Sequence, residues 1–296
     1  MYVLVSNYQE LLFIRILQAL FGVLLSASFL HLASTYAKQT GTYIGYLRVA
    51  QALGMAAGPL LVFIISTFSH KEFILLSSFL CLAPLSALLL EEPRVQRDNV
   101  KVTHVIRYIT RKELVPLYLC AISEVFSVSI FFSYIVVGAI EKFNIPQRTY
   151  AFILFIAISV FGIASVPASK LSDRYPYQSA VFGSLLIALF TYMIFISNNI
   201  VLFVLFFVAF EAISAFALNP LYVVASKIIP DEMRGTGINL VDAIVNTTFF
   251  ILPFLEILAE NYGIYFTLVP AIIISLFSSM YALINLILLK KHRVIK

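Results

Sequence analysis

"SKLSDRYPYQ", Ser169–Gln178, is a polar knot between two apolar runs. Residues 150–168 before it are nearly all apolar, and another apolar run opens at Ser179. Within the knot, Asp173 stands between two bases, Lys170 and Arg174. A polar stretch this short, between two runs of roughly twenty apolar residues, is what a chain shows where it leaves a bilayer and turns back into it. The stretch therefore reads as a cytoplasmic turn joining two transmembrane helices.

The same alternation runs along the whole chain. Its 296 residues are 61% hydrophobic and 12% charged, with a mean hydropathy of +0.98. A soluble domain is about a quarter charged. No globular core could hide so much apolar surface, so lipid must cover much of it. Nine windows are long and apolar enough to span: Glu10–Leu32, Tyr43–Ile65, Phe73–Leu90, Leu114–Ile140, Tyr150–Ala168, Ser179–Ser197, Ile200–Ser226, Gly237–Ala259 and Ile264–Leu289. In hydrocarbon a helix satisfies its own backbone, so the expected fold is an all-α polytopic bundle. The largest polar stretch is Glu91–Glu113.

Lysine and arginine set the orientation, because cytoplasmic loops carry the excess. Fifteen of the twenty fall on the side of the Arg94–Lys112 loop; only Lys71, Lys142 and Arg148 fall on the other, while Arg15 and Arg48 lie within spans. The bias puts the C-terminus in the cytoplasm and the N-terminus of this chain outside. The positive charge is thus topological and gives no reason to invoke nucleic acid. Met1–Gln9 has no basic residue and resembles no signal-peptide start. Cys81 and Cys120 both lie in spans, so no disulfide framework is implied. No HExxH, cysteine pair or Ser/His/Asp spacing appears, so neither an enzyme nor a metal site is expected.

Four stretches, in order, resemble the major facilitator superfamily of transporters. "RILQALFG" (Arg15–Gly22) is similar to its fourth-helix pattern R-x-x-Q-G-x-x-G, with Ala19 at the usual Gly. "GYLRVAQALGMAAGPLLV" (Gly45–Val62) is similar to the fifth-helix pattern G-x8-G-x3-G-P-x2-G through Gly45, Gly54, Gly58 and Pro59, with Val62 replacing the last Gly. The opening knot resembles the loop pattern G-x-L-x-D-R-x-G-R-R through Leu171, Asp173 and Arg174. "PDEMRGTG" (Pro230–Gly237) resembles the loop before the eleventh helix. The resemblance implies two six-helix halves and places the first span at the family's fourth. Residues 1–92 would then be a partial N-terminal half of three helices, 93–113 a cytoplasmic linker and 114–296 a complete C-terminal half. The chain would lack three helices, which also places its N-terminus outside.

Charged groups in hydrocarbon each cost roughly 2.5–3.5 kcal/mol on insertion scales, so each needs a partner or a watery cavity. Arg15, Gln18 and Gly22 share a stripe, and the resemblance implies a charge that tunes or relays a proton; outward snorkelling of Arg15 is the other reading. Glu124 and Glu211 lie near the middle of their spans. A buried carboxyl can load and release a proton, as proton coupling requires, or it can bond a neighbouring helix. Asp242, with Asn239 and Asn246, forms a polar stripe at helical spacing, open to interhelical packing or substrate contact. Ala50, Gly54 and Gly58 form a small face suited to close helix packing, and Pro59 bends the helix. In the family the Gly/Pro pattern accompanies antiporters.

The resemblance implies a secondary transporter of the plasma membrane that rocks its halves about a midplane site. The expected activity is proton-coupled export of a small amphipathic or drug-like solute, with no cofactor beyond an ion gradient and no partner beyond solute and lipid; the protein is expected to be a monomer. Asp173, Arg174 and Lys170 would latch the cytoplasmic side, while Arg15 and Glu124, Glu211 or Asp242 would carry coupling. The alternatives are a symporter importing a sugar or organic acid, and a truncated chain without transport.

Overall fold

The structure, a computed structural model, describes residues 40–65 and 102–294. The spans expected at Glu10–Leu32 and Phe73–Leu90 lie outside them. Among the described residues there is no strand, and seven helical segments are long and apolar enough to cross a membrane: Thr42–Ile64, Lys112–Phe143, Gln147–Arg174, Pro176–Ile196, Ile200–Ile228, Arg234–Tyr262 and Ile264–Leu288. They coincide with the seven expected spans that fall there.

The helices are α1 (Thr40–Ile65), α2 (Val102–Ile109), α3 (Val115–Ile130), α4 (Val136–Phe143), α5 (Gln147–Arg174), α6 (Pro176–Ile196), α7 (Ile200–Ile228), α8 (Arg234–Asn246), α9 (Leu252–Tyr262) and α10 (Leu268–Val294). Two spans are composite. A π-helical stretch, Phe131–Ile135, joins α3 to α4, and a 3-10 stretch, Thr247–Ile251, joins α8 to α9. The second break has a local cause. Pro253 brings no N–H, and the hydroxyls of Thr247 and Thr248 donate back to the carbonyls of Ile244 and Val245.

Small polar residues tie the bundle, as they do where lipid offers no hydrophobic drive for helices to meet. The Ser184 hydroxyl donates to the Ser275 carbonyl at 3.0 Å, joining α6 to α10, and shares a 3.2 Å bond with Ser123 on α3. Asn219 on α7 donates to the Ser165 carbonyl and to Ser169 Oγ on α5. Pro220 leaves the Phe216 carbonyl without its helical donor, and Ser179 Oγ on α6 supplies one at 3.2 Å. The apolar core falls into two large clusters and a small third one of Ala52, Ala56 and Ile158. Val105, Leu117, Leu221 and Val241 belong to the first; Phe126, Phe131, Phe207 and Phe210 belong to the second. Helix direction puts them at opposite ends of the bundle. In the second, the Phe131 ring lies 4.5 Å from that of Phe210.

Helix α1 runs antiparallel to α5. Gly45 sits against Val166 and Ser165 at one end, and the rings of Phe63 and Phe152 meet at 4.7 Å at the other. A methyl on Gly162 would come within 2.7 Å of Ala52 Cβ. The close face of α1 is therefore Gly45, Ala52 and Ala56. Among the described residues the expected small face makes no close contact: Ala50, Gly54 and Gly58 are exposed, and a Cβ at either glycine would meet nothing within 4 Å. That stripe points away from α5. Pro59 lies inside α1 and is half-buried.

Two further expectations change. The knot is helix rather than turn. The α-helix α5 continues to Arg174, Ser172 donates to the Ala168 carbonyl at 2.7 Å, and Tyr175 alone separates α5 from α6. Nothing between Ser169 and Tyr175 breaks a helix; Pro176 does, by excluding its predecessor from helical geometry. Tyr175 accordingly has φ −135° and ψ 59°. The stretch expected as a polar linker contains the amphipathic α2, whose Val105 and Ile109 are buried in the first cluster beside α8.

Candidate functional site

A buried arginine organises the polar interior. Arg48 on α1 is only 7% exposed. Its guanidinium carbon lies 4.5 Å from the ring centre of Tyr222 on α7, a stack worth about 2 kcal/mol when desolvated. Its Nη1 donates to Gln51 Oε1 at 2.8 Å, one helical turn on. The Tyr222 hydroxyl donates to Asp242 Oδ1 on α8, and Asn246 Nδ2 donates to Asp242 Oδ2 at 2.9 Å. One polar chain, Gln51–Arg48–Tyr222–Asp242–Asn246, thus links α1, α7 and α8.

The two midspan carboxyls lie beside it. Glu124 on α3 and Glu211 on α7 are each 3% exposed. Arg48 interacts electrostatically with Asp242 and Glu124, and Glu124 with Glu211. Among the described residues several buried atoms of these helices have no hydrogen-bond partner: Arg48 Nε and Nη2, Glu124 Oε2, Glu211 Oε1 and Ser214 Oγ. An unsatisfied buried polar group costs roughly 1–3 kcal/mol, and folded proteins leave few. Those on Arg48 and Glu124 belong to one interacting group and mark a place prepared for a ligand, a proton or a moving partner.

The expected residues divide into three groups. Glu124 and Asp242 flank Arg48, Asn246 joins through Asp242, and Glu211 is linked to the group only through Glu124. Asn239 is half-buried on α8, one turn from Asp242. Arg15 and Gln18 lie outside the described residues. At the knot, Asp173 pairs with Lys227 at the end of α7, Nζ to Oδ1 2.8 Å, and Lys227 also donates to the Asp173 carbonyl. The acid is held by neither flanking base. Arg174 lies over the Tyr175 ring, and Lys170 is exposed. Among the described residues no cluster of His, Cys, Asp and Glu has metal-binding character.

Sequence reading found the acids but assigned no role to Arg48 or Tyr222. Arg48 carried a signal, being a charge within a span. Tyr222 carried none, since a tyrosine in an apolar run is ordinary.

A polar network inside a helical membrane bundle is costly and marks a functional interior. The chain belongs to the Major Facilitator Superfamily: that family's model matches residues 117–294, more than half of its length. It is a membrane transport protein of that superfamily. No curated protein matches the chain.

Proposed function

We propose that this protein exports a small amphipathic or drug-like solute across the plasma membrane in exchange for protons. Residues 114–296 act as one rocking unit and residues 1–92 contribute to the other, joined by 93–113. The C-terminus lies in the cytoplasm, and the protein works as a monomer in lipid. The observation that carries the reading is the pair of buried carboxyls, Glu124 and Glu211, coupled to each other and, through Glu124, to Arg48. A proton on one changes the field at the other and at the arginine. Proton loading and the state of the polar chain are therefore linked. Asp242 ends that chain on α8 and would pass the change to the helix that follows the Asp173–Lys227 pair. Arg15 would carry coupling and Gln18 would be a polar group of the cavity, as the family resemblance implies, and the exposed Gly54 and Gly58 of α1 would meet another helix.

The test is reconstitution in proteoliposomes with a pH-sensitive dye inside and an imposed proton gradient. Solute added to the wild-type protein should move protons. Glu124→Gln and Glu211→Gln should each cut that flux by roughly tenfold or more, the usual scale for an essential proton carrier. Wild-type coupling in both variants would sink the proton assignment. Solute accumulation under the reversed gradient would convert export to import.

A further inference from the structure

We propose that the free edge of Arg48, its Nε and Nη2, seats a carboxylate carried by the transported solute. The inference rests on the transport reading and names the chemistry of what is carried.

The argument begins with the donors. A guanidinium has five N–H groups in a fixed plane. In Arg48 the plane is held against the Tyr222 ring, and Nη1 is engaged by Gln51. The remaining edge carries the Nε hydrogen and one Nη2 hydrogen side by side. Two parallel donors at that spacing match the two oxygens of one carboxylate, the bidentate arrangement that arginine makes and lysine cannot. Among the described residues both nitrogens are buried without a hydrogen-bond partner, Tyr222 being the side chain the guanidinium interacts with.

Among the described residues, the acids near Arg48 do not fill the edge. Both oxygens of Asp242 already accept, from Tyr222 and from Asn246. Glu124 and Glu211 each keep an unpartnered oxygen of their own. These acids are in electrostatic contact with the arginine or with one another. Their field favours the guanidinium and opposes a second anion. A solute carboxylate must therefore gain its affinity from the fork's geometry rather than from net charge. Replacing Arg48 by lysine keeps the charge and removes the fork, so it isolates the property in question.

The experiment uses the full purified chain in detergent and two fluorescent solutes, 2-naphthoate and its neutral isostere 2-naphthamide, measured by equilibrium dialysis. Wild type should bind the carboxylate at least roughly tenfold tighter than the amide, the scale of a charge-assisted bidentate pair. Arg48→Lys and Arg48→Gln should bring that ratio near one while each variant remains monodisperse in detergent and still unfolds in a cooperative melt. Three results overturn the proposal: no carboxylate preference in wild type, including no binding of either solute; an unchanged ratio in Arg48→Lys; or an equal loss for both solutes, which marks a structural role only. Proton flux separates this from the transport reading. Flux driven by the amide without carboxylate preference removes the proposal alone. Arginine-dependent preference without flux from either solute removes proton coupling alone.

Discussion

A methyl group on Gly183 would collide with the backbone of α7 at Phe216 and Ala217. Backbone atoms cannot rotate aside as a side chain can, so α6 and α7 would have to separate. Gly183→Ala should cost about 1–3 kcal/mol, the usual penalty of overpacking, seen as a lower unfolding midpoint in detergent. Gly54→Ala has open space and gains helix propensity of about 1 kcal/mol at most, so its midpoint should stay or rise. Both glycines sit in apolar runs and look alike in sequence. The difference lies in which neighbour stands opposite, and only the folded chain supplies it. Arg48 is the same case at the site. Its charge within a span was visible, but Tyr222 and Asp242 lie far along the chain, and no spacing rule reaches across that distance. Glu124 and Glu211 were legible because a carboxyl near the middle of a span is costly wherever it points.

At the scale of elements, α2 is the least expected piece. Eight residues are too few for a helix to hold itself together in water, so packing must hold it. Val105 is fully buried and Ile109 nearly so against the first apolar cluster, while Arg107 and Arg111 stay exposed. A carboxylate at Val105 would enter that cluster unpaired, at a cost of several kcal/mol. Val105→Asp should therefore unfold α2 and speed tryptic cleavage after Arg107, Arg111 and Lys112, with the membrane helices remaining protected. Unchanged cleavage would mean that α2 does not depend on this contact. Apolar windows found the spans because lipid imposes one length on them all. They missed α2, the π stretch and the helical knot because those depend on a partner surface, one extra residue in a turn and a single proline.

For the whole molecule, the contact between Asp173 and Lys227 ties the α5–α6 junction to the end of α7. Both side chains are partly exposed, so the pair is worth under about 1 kcal/mol to stability. Asp173→Asn should leave membrane insertion and melting unchanged. If the pair holds one of two alternating arrangements, transport should fall severalfold in that variant. The exchange Asp173→Lys with Lys227→Asp should restore part of it. Normal transport in Asp173→Asn would leave the knot with only its role in orienting the chain. Seven spans were legible here from hydropathy alone, and the order of motifs pointed to the family that residues 117–294 match. How the spans lean on each other was not legible, because small residues, serines and one asparagine fix it in pairs.

The bond from Ser179 to the carbonyl that Pro220 releases also bears on biosynthesis. The two partners are 37 residues apart, with the hydroxyl nearer the N-terminus. The ribosome therefore delivers the donor first. When the proline-bearing segment leaves the translocon, a helix already in the bilayer holds the hydroxyl it needs, and the break in α7 is mended as the segment arrives.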